Sequence, residues 1–222
     1  MIEFRNVTLV QKKNTLLDRM CFKLKNGSVY GILADAERAS VISDLLAGAA
    51  LPTDGAVLIN GFDLAKEARR AKAFLGYSPK SIALYDHMTP VEYLLFLADV
   101  RQIEYEQSIR RIGELLSLAG LSRKRGTLIK NLSSFEKKCL STVQAILSDA
   151  EILILEDPFL DVQGREAEQL ASLLEEMLDG RTAIICAQSA KYLRKCCDTL
   201  CRATSSSLTF EEETEIEEEA EQ

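Results

Sequence analysis

The sequence contains no apolar run approaching the roughly 18 residues needed to cross a bilayer, and its first residues lack a signal-peptide pattern. Any membrane role is therefore expected to pass through a partner. Histidine is nearly absent, and the single one, His87, reads as a surface residue. The six cysteines (Cys21, Cys139, Cys186, Cys196, Cys197, Cys201) form no even framework. Cys196, Cys197 and Cys201 cluster, but without a nearby histidine the spacing suits zinc poorly. Reduced core thiols in a cytoplasmic protein are the expectation. No basic stripe points to nucleic acid. The net charge of −7 belongs to one end: eight of the 34 acidic residues are glutamates in 211–222, and the remaining 26 nearly balance 27 Lys and Arg.

With 222 residues and 47% apolar content, the chain suits one α/β domain or two small lobes and can bury a sizeable core. The most informative stretch is Glu151-Ile152-Leu153-Ile154-Leu155-Glu156-Asp157-Pro158. Four consecutive apolar residues leave no polar face, which predicts a strand covered on both sides in a parallel sheet. It stops at two carboxylates and a proline, which cannot continue a central strand. Ligands of open α/β sheets bind just beyond such strand ends, and adjacent acids there commonly hold Mg²⁺ in phosphate chemistry.

Elsewhere, residues 2–7, 20–24 and 29–33 read as strands, and 39–46 as a helix stopping at Gly48. Two amphipathic helices are expected over 91–98 and 106–119, the second with Ile109, Ile112, Leu115 and Leu116 on one face. Ser133 or Ser134 is placed to cap a helix over 135–147. Helices over 166–178 and 190–196 flank a buried strand at 182–186, and 199–210 reads as one or two weak strands. The glutamate-rich end has no packing face and is expected to be disordered.

Several segments share one resemblance. Gly31-Ile32-Leu33 through Leu45-Leu46-Ala47-Gly48, then Leu51 to Gly61, resembles the opening of an ATP-binding-cassette (ABC) transporter ATPase. Leu75-Gly76-Tyr77-Ser78-Pro79-Lys80 looks like the lead into that family's Q-loop, and the segment from Leu84 to Leu94 like the start of its helical lobe. Leu132-Ser133-Ser134-Phe135-Glu136 falls at the signature motif, and the strand before Glu156 falls at Walker B. The order and spacing hold from residue 1 to about 203. The resemblance implies a P-loop NTPase-like α/β fold, a mixed sheet core with an inserted helical lobe. Its domain would span 1–210, with the lobe at about 84–148 and the acidic tail at 211–222.

The resemblance also implies where chemistry would sit. A working P-loop, Gly-x4-Gly-Lys-Ser/Thr, wraps phosphates with amides, reaches them with a lysine and offers a hydroxyl to Mg²⁺. Here the loop is Ala34-Asp35-Ala36-Glu37-Arg38-Ala39-Ser40, without glycine and with Ala39 where the lysine would precede Ser40. Asp35 and Glu37 add negative charge, which Arg38 is placed to neutralise. Ser40 reads as a helix N-cap, with a Mg²⁺ hydroxyl as the alternative. Gln11 stands where an aromatic would stack on adenine, Lys80 replaces the Q-loop glutamine, and Gln188 takes the switch-histidine position. The Walker B pair is inverted, with Glu156 for the metal-organising aspartate and Asp157 for the glutamate beside the attacking water. Misplacing such a carboxylate by ~1 Å costs on the order of 100-fold, and losing the amide cradle and lysine removes most stabilisation of the transferred phosphoryl group. Ser133 and Asp161 retain motif positions that reach a partner's nucleotide in the family's dimers.

These implications describe a degenerate ABC transporter subunit without its own hydrolysis, paired with a competent ATPase as a hetero- or homodimer and held at the inner membrane face by integral membrane subunits. No cofactor is expected beyond weak Mg-ATP binding. Two readings stay open beside it: an active ATPase with atypical motifs, and a soluble regulatory or scaffold protein derived from the family. One local expectation accompanies them. With the metal gone, the Lys80 ammonium would pair with Glu156 or Asp157, with a Lys80 pointing into water from its loop as the alternative.

Overall fold

The computed structural model describes residues 1–80 and 86–211. At its N-terminus, Ile2–Gln11 (β1) and Asn14–Leu24 (β2) form an antiparallel hairpin in which apolar residues face inward. Val29–Leu33 (β3) is wholly buried and leads into Ala36–Ala47 (α1). Gly48 closes α1 in the left-handed region (φ 64°), a conformation glycine adopts without a Cβ penalty. Asp54–Ile59 (β4) and Phe62–Asp63 (β5) complete an antiparallel sheet of order β2-β1-β4-β5. Ala68–Lys72 (α2) and Leu75–Ser78 (β6) follow.

Pro90–Val100 (α3), Tyr105–Leu118 (α4) and Ser134–Ile146 (α5) pack together and against one face of the second sheet. Thr89 opens α3 and Ser133 opens α5, each with a capping box completed by Glu92 and Glu136. The chain then runs through Ile152–Glu156 (β7), Gly164–Leu178 (α6), Thr182–Ala187 (β8), Leu193–Cys196 (α7), Thr199–Ala203 (β9) and Leu208–Phe210 (β10). The second sheet has the order β10-β9-β3-β8-β7-β6, parallel apart from β10.

The unbroken apolar run of β7 is explained by this layering. Ile152 and Ile154 face α1 and the antiparallel sheet, while Leu153 and Leu155 face α5 and α6. Both faces are dry, so no polar position is tolerated. Gly76 lets β6 approach α5: a Cβ there would lie 2.0 Å from the Ala145 carbonyl oxygen.

Four expectations need correction. Ile109 is 46% exposed, and the buried face of α4 is Ser108, Ile112, Leu115 and Leu116. Ile109 follows buried Ser108 by one residue, which rotates it to the flank of that face. The helix expected over 190–196 shortens to α7, with 190–192 forming a turn joined to it by the Arg194 N–H donating to the Ala190 carbonyl (3.2 Å). Ser40 does not cap α1. That role falls to Asp35, whose carboxylate accepts the Arg38 N–H at 2.9 Å, leaving Ser40 inside the helix. All six thiols are free, but Cys21 is exposed and so departs from the core reading, whereas burial pushes Cys139 and Cys186 up to about 12. Residues 81–85, which include the first residues of the lobe expected from about 84, and the acidic end beyond Glu211 lie outside the described residues.

Candidate functional site

The carboxyl ends of β3, β6, β7 and β8 converge, as they do around ligand crevices of open α/β sheets. After β3 the chain turns at Ala34, whose N–H donates to the Ala187 carbonyl (3.2 Å), and Asp35 opens α1. The Arg38 guanidinium folds back onto the Asp35 carboxylate and reaches the Leu16 carbonyl (3.4 Å). The charge pairing expected of Arg38 is present, with Asp35 as its partner.

One turn into α1, the Ser40 hydroxyl donates to Glu156 Oε1 at 2.6 Å. Glu156 ends β7 and is only 6% exposed. Its other oxygen, Oε2, accepts the Tyr77 hydroxyl at 2.8 Å and the Lys80 backbone N–H at 3.1 Å. Three donors from three segments thus satisfy both oxygens of one buried carboxylate. The Tyr77 oxygen also lies 3.4 Å from Asp44 Oδ1. A phenol has one proton, and the shorter contact takes it. Burial, then the Glu156 charge, raises the Asp44 carboxyl above its ordinary range, with the Tyr77 hydroxyl opposing them. Burial first, and Glu156 next, push the Tyr77 phenol well above its own.

Asp157, 8% exposed, takes a left-handed conformation (φ 41°), and its N–H donates to the Cys186 carbonyl at 2.8 Å. Its Oδ2 accepts the Gln188 amide at 3.1 Å. The cation beside this pair of acids is not the one expected. Among the described residues the Lys80 ammonium makes no ion pair with a carboxylate. Lys80 contributes its backbone instead, and the buried ammonium near these acids is that of Lys138 on α5, which contacts carbonyls and likewise makes no ion pair within 4.0 Å among the described residues. The Lys138 ammonium donates to the Lys80 carbonyl (2.6 Å) and to the Asp157 carbonyl (3.2 Å). Lys80 is half-buried on the loop after β6. Lys138 is 9% exposed and must find protein acceptors.

Of the other positions singled out, Ala39 is buried in α1, and Gln11 lies exposed at the hairpin end opposite Asn14. Ser133 accepts the Glu136 N–H at 3.1 Å while Glu136 accepts the Ser133 N–H at 2.9 Å and pairs with Lys124 at 3.0 Å. Asp161 is exposed with φ 63°. The structure therefore joins Ser40, Lys80, Glu156, Asp157 and Gln188 into one hydrogen-bonded cluster and leaves Gln11, Ser133 and Asp161 outside it. Tyr77, Asp44 and Lys138 belong to the cluster without having been singled out. Nothing in the local sequence marked Lys138, which the structure buries together with Cys139, Leu140, Ser141 and Thr142 on α5.

Comparison with known proteins agrees with this layout. A model of the ABC transporter family matches residues 17–160. The linearmycin resistance ATP-binding protein LnrL of Bacillus subtilis (strain 168) is 24% identical over 203 residues, covering 90% of this chain and 65% of that protein. The Nod factor export ATP-binding protein I of Mesorhizobium japonicum is 27% identical over 205 residues, covering 90% and 59%. The chain thus spans about six tenths to two thirds of these relatives' lengths. Among solved structures, an ATP-binding subunit of an ABC transporter superposes with a TM-score of 0.81 at 20% identity, covering 100% of this chain and 93% of that one. A dimeric ATP-binding cassette in a post-hydrolysis state, bound to ADP and Pi, also gives a TM-score of 0.81, at 17% identity and with 96% and 98% coverage. With well over half its length matched and the sheet, helices and strand-end crevice in the corresponding order, this chain belongs to the ABC transporter family and has the fold of its ATP-binding subunits.

Proposed function

We propose that the chain is a catalytically degenerate ATP-binding subunit of an ABC transporter, one that assembles with a competent ATPase and with integral membrane subunits but does not itself hydrolyse ATP. The observation that carries this reading is the state of Glu156. Both of its oxygens are held by Ser40, Tyr77 and the Lys80 N–H, so the hydroxyl and the acid that would serve a metal serve each other.

The residues present do not fit a magnesium–triphosphate group. The Ala34–Ser40 loop lacks the glycines that let amides wrap a phosphate, and the Arg38 N–H is taken by Asp35. The Arg38 guanidinium is committed to the same acid. No step of phosphoryl transfer is therefore assigned to this chain, and Mg-ATP is expected to bind weakly or not at all.

Pairing is supported by the dimeric cassette whose fold it shares. Exposed Asp161 and Ser133 are the residues assigned to contact a partner's nucleotide. Ser133 already accepts a hydrogen bond from Glu136, which leaves its own hydroxyl proton to donate. No helix among the described residues is long and apolar enough to cross a membrane, so contact with a transport pathway is assigned to partners at the inner membrane face. The groove of about 670 Å³ beside Val100, Arg101, Ile103, Arg69 and Lys72, at the meeting of the helices and the sheet, is suited to receive such a subunit. In domain terms, residues 1–210 form one ATPase-like unit with a helical lobe over about 84–148, followed by the acidic tail 211–222.

Two measurements test this reading. Purified chain with Mg-ATP should release phosphate at the buffer background, and the chain isolated from its native membranes should bring integral membrane subunits with it. Turnover within the ordinary enzyme range of about 1 s⁻¹ or above would contradict the degenerate assignment. Recovery of the chain without any membrane subunit would contradict the transport role.

A further inference from the structure

Four acids gather where β7 ends: Glu156 and Asp157 buried, Asp44 half-buried beneath them, and Asp161 exposed. Among the described residues none of the four takes part in an ion pair within 4.0 Å. Neutral donors serve the two buried carboxylates, which satisfies their hydrogen bonding but not their charge. Like charges in a shielded site are relieved by a nearby cation or by one acid taking up a proton, and the upward push on Asp44 shows the second in part.

Lys138 is that cation by geometry. It projects from the second turn of α5, is 9% exposed, and places its ammonium between two backbone carbonyls, 2.6 Å from Lys80 and 3.2 Å from Asp157. These carbonyls belong to the segments that follow β6 and β7, the same two segments that bring donors and acid to Glu156. Burial, and less strongly the nearby Lys80 charge, draws the Lys138 pKa down, while Asp157, Asp161 and Glu156, in that order, hold it up. Carbonyl and carboxylate oxygens are also the ligands that hard divalent cations choose.

We infer that the Lys138 ammonium is a covalently tethered counter-ion that takes the place of a divalent metal ion at the end of β7, tying α5 to the two loops and making this strand end independent of metal. The inference concerns the cation alone and stands whether or not a nucleotide binds nearby. Its failure is therefore distinguishable from failure of the proposed function.

The experiment combines Mn²⁺ titration, read by electron paramagnetic resonance without nucleotide, with thermal unfolding in EDTA and in Mn²⁺. The wild-type chain should bind Mn²⁺ no tighter than about 1 mM, the weak end of protein cation sites, and should melt at the same temperature in both buffers. Lys138→Met strands the acids, so its Tm in EDTA should fall by roughly 6 °C or more, and Mn²⁺ should restore part of that loss. A second substitution, Asp157→Asn, removes the nearest stranded charge while keeping an acceptor for Gln188. Lys138→Met/Asp157→Asn should therefore melt above Lys138→Met and lose the response to Mn²⁺. Micromolar Mn²⁺ binding by the wild type would overturn the inference and needs no variant. So would a Lys138→Met protein whose Tm is unchanged, or is lowered equally in EDTA and Mn²⁺.

Discussion

Ser40 and Glu156, separated by 116 positions in the chain, are joined by a 2.6 Å hydrogen bond that links the first turns of α1 to the end of β7. The bond accounts for a residue that local reading assigned to a helix cap. Removing it should matter because Glu156 is buried and its charge depends on few donors. Ser40→Ala is expected to lower stability by about 1–3 kcal/mol, the range for a hydrogen bond to a buried charged group. Tyr77→Phe should cost a similar amount, since its hydroxyl serves the other oxygen of the same carboxylate. The two substitutions share one acceptor, so the double variant should deviate from additivity by about 0.5 kcal/mol or more. Urea unfolding of the four proteins measures this, and strict additivity would place the donors on independent sites.

Gly76 carries a different kind of constraint. The Ala145 carbonyl oxygen of α5 lies 2.0 Å from where a Cβ would stand, and a backbone atom cannot rotate away. Gly76→Ala should push α5 off β6 and destabilise by about 1–3 kcal/mol or more, the usual result of overpacking. Tyr77 follows directly, so its contact with Glu156 should loosen as well. Unfolding combined with amide exchange across α5 tests both effects. An unchanged midpoint would show that the helix can shift freely.

Glu3 predicts an acid-sensitive term away from the site. Hydrogen bonds from Arg5 (2.8 Å) and Lys23 (3.0 Å) hold its carboxyl at about 2, below the ordinary 4.5. A depressed carboxylate stabilises the fold fully above its unfolded value, and that contribution is lost as pH falls through the folded one. Stability should therefore decline between about pH 4.5 and pH 2, with a shallower decline in Glu3→Gln. High salt should shrink the difference, because both cationic partners are exposed. Identical pH profiles for wild type and Glu3→Gln would contradict the pairing.

The parts of the fold that were legible in the sequence are those decided by local pattern. The run Ile152-Leu153-Ile154-Leu155 could only be a strand dry on both faces, and its ending in Glu156-Asp157-Pro158 marked the crevice. A cap at Ser133 or Ser134 was legible, and the structure selects Ser133, where Glu136 completes a capping box. Lys138 was not legible. A lysine in an amphipathic helix reads as exposed, and its burial is set by carbonyls 58 and 19 positions away. Lys80 failed for the complementary reason: its position was correct, but the backbone N–H, which carries no sequence signal, makes the contact. Tyr77 is one residue of a short strand, and only the parallel pairing of β6 with β7 turns it toward Glu156.

We propose that this member of the ABC transporter family has committed the crevice at its strand ends to internal contacts. Isothermal titration of the purified chain with ATP in the presence of Mg²⁺ tests it most directly. The Glu156 cluster and the Asp35–Arg38 pair predict no saturable heat, or a Kd weaker than about 100 µM, equivalent to roughly −5.5 kcal/mol. Saturable binding tighter than that would show that the loop from Ala34 to Ser40 still cradles a triphosphate, and would contradict the account.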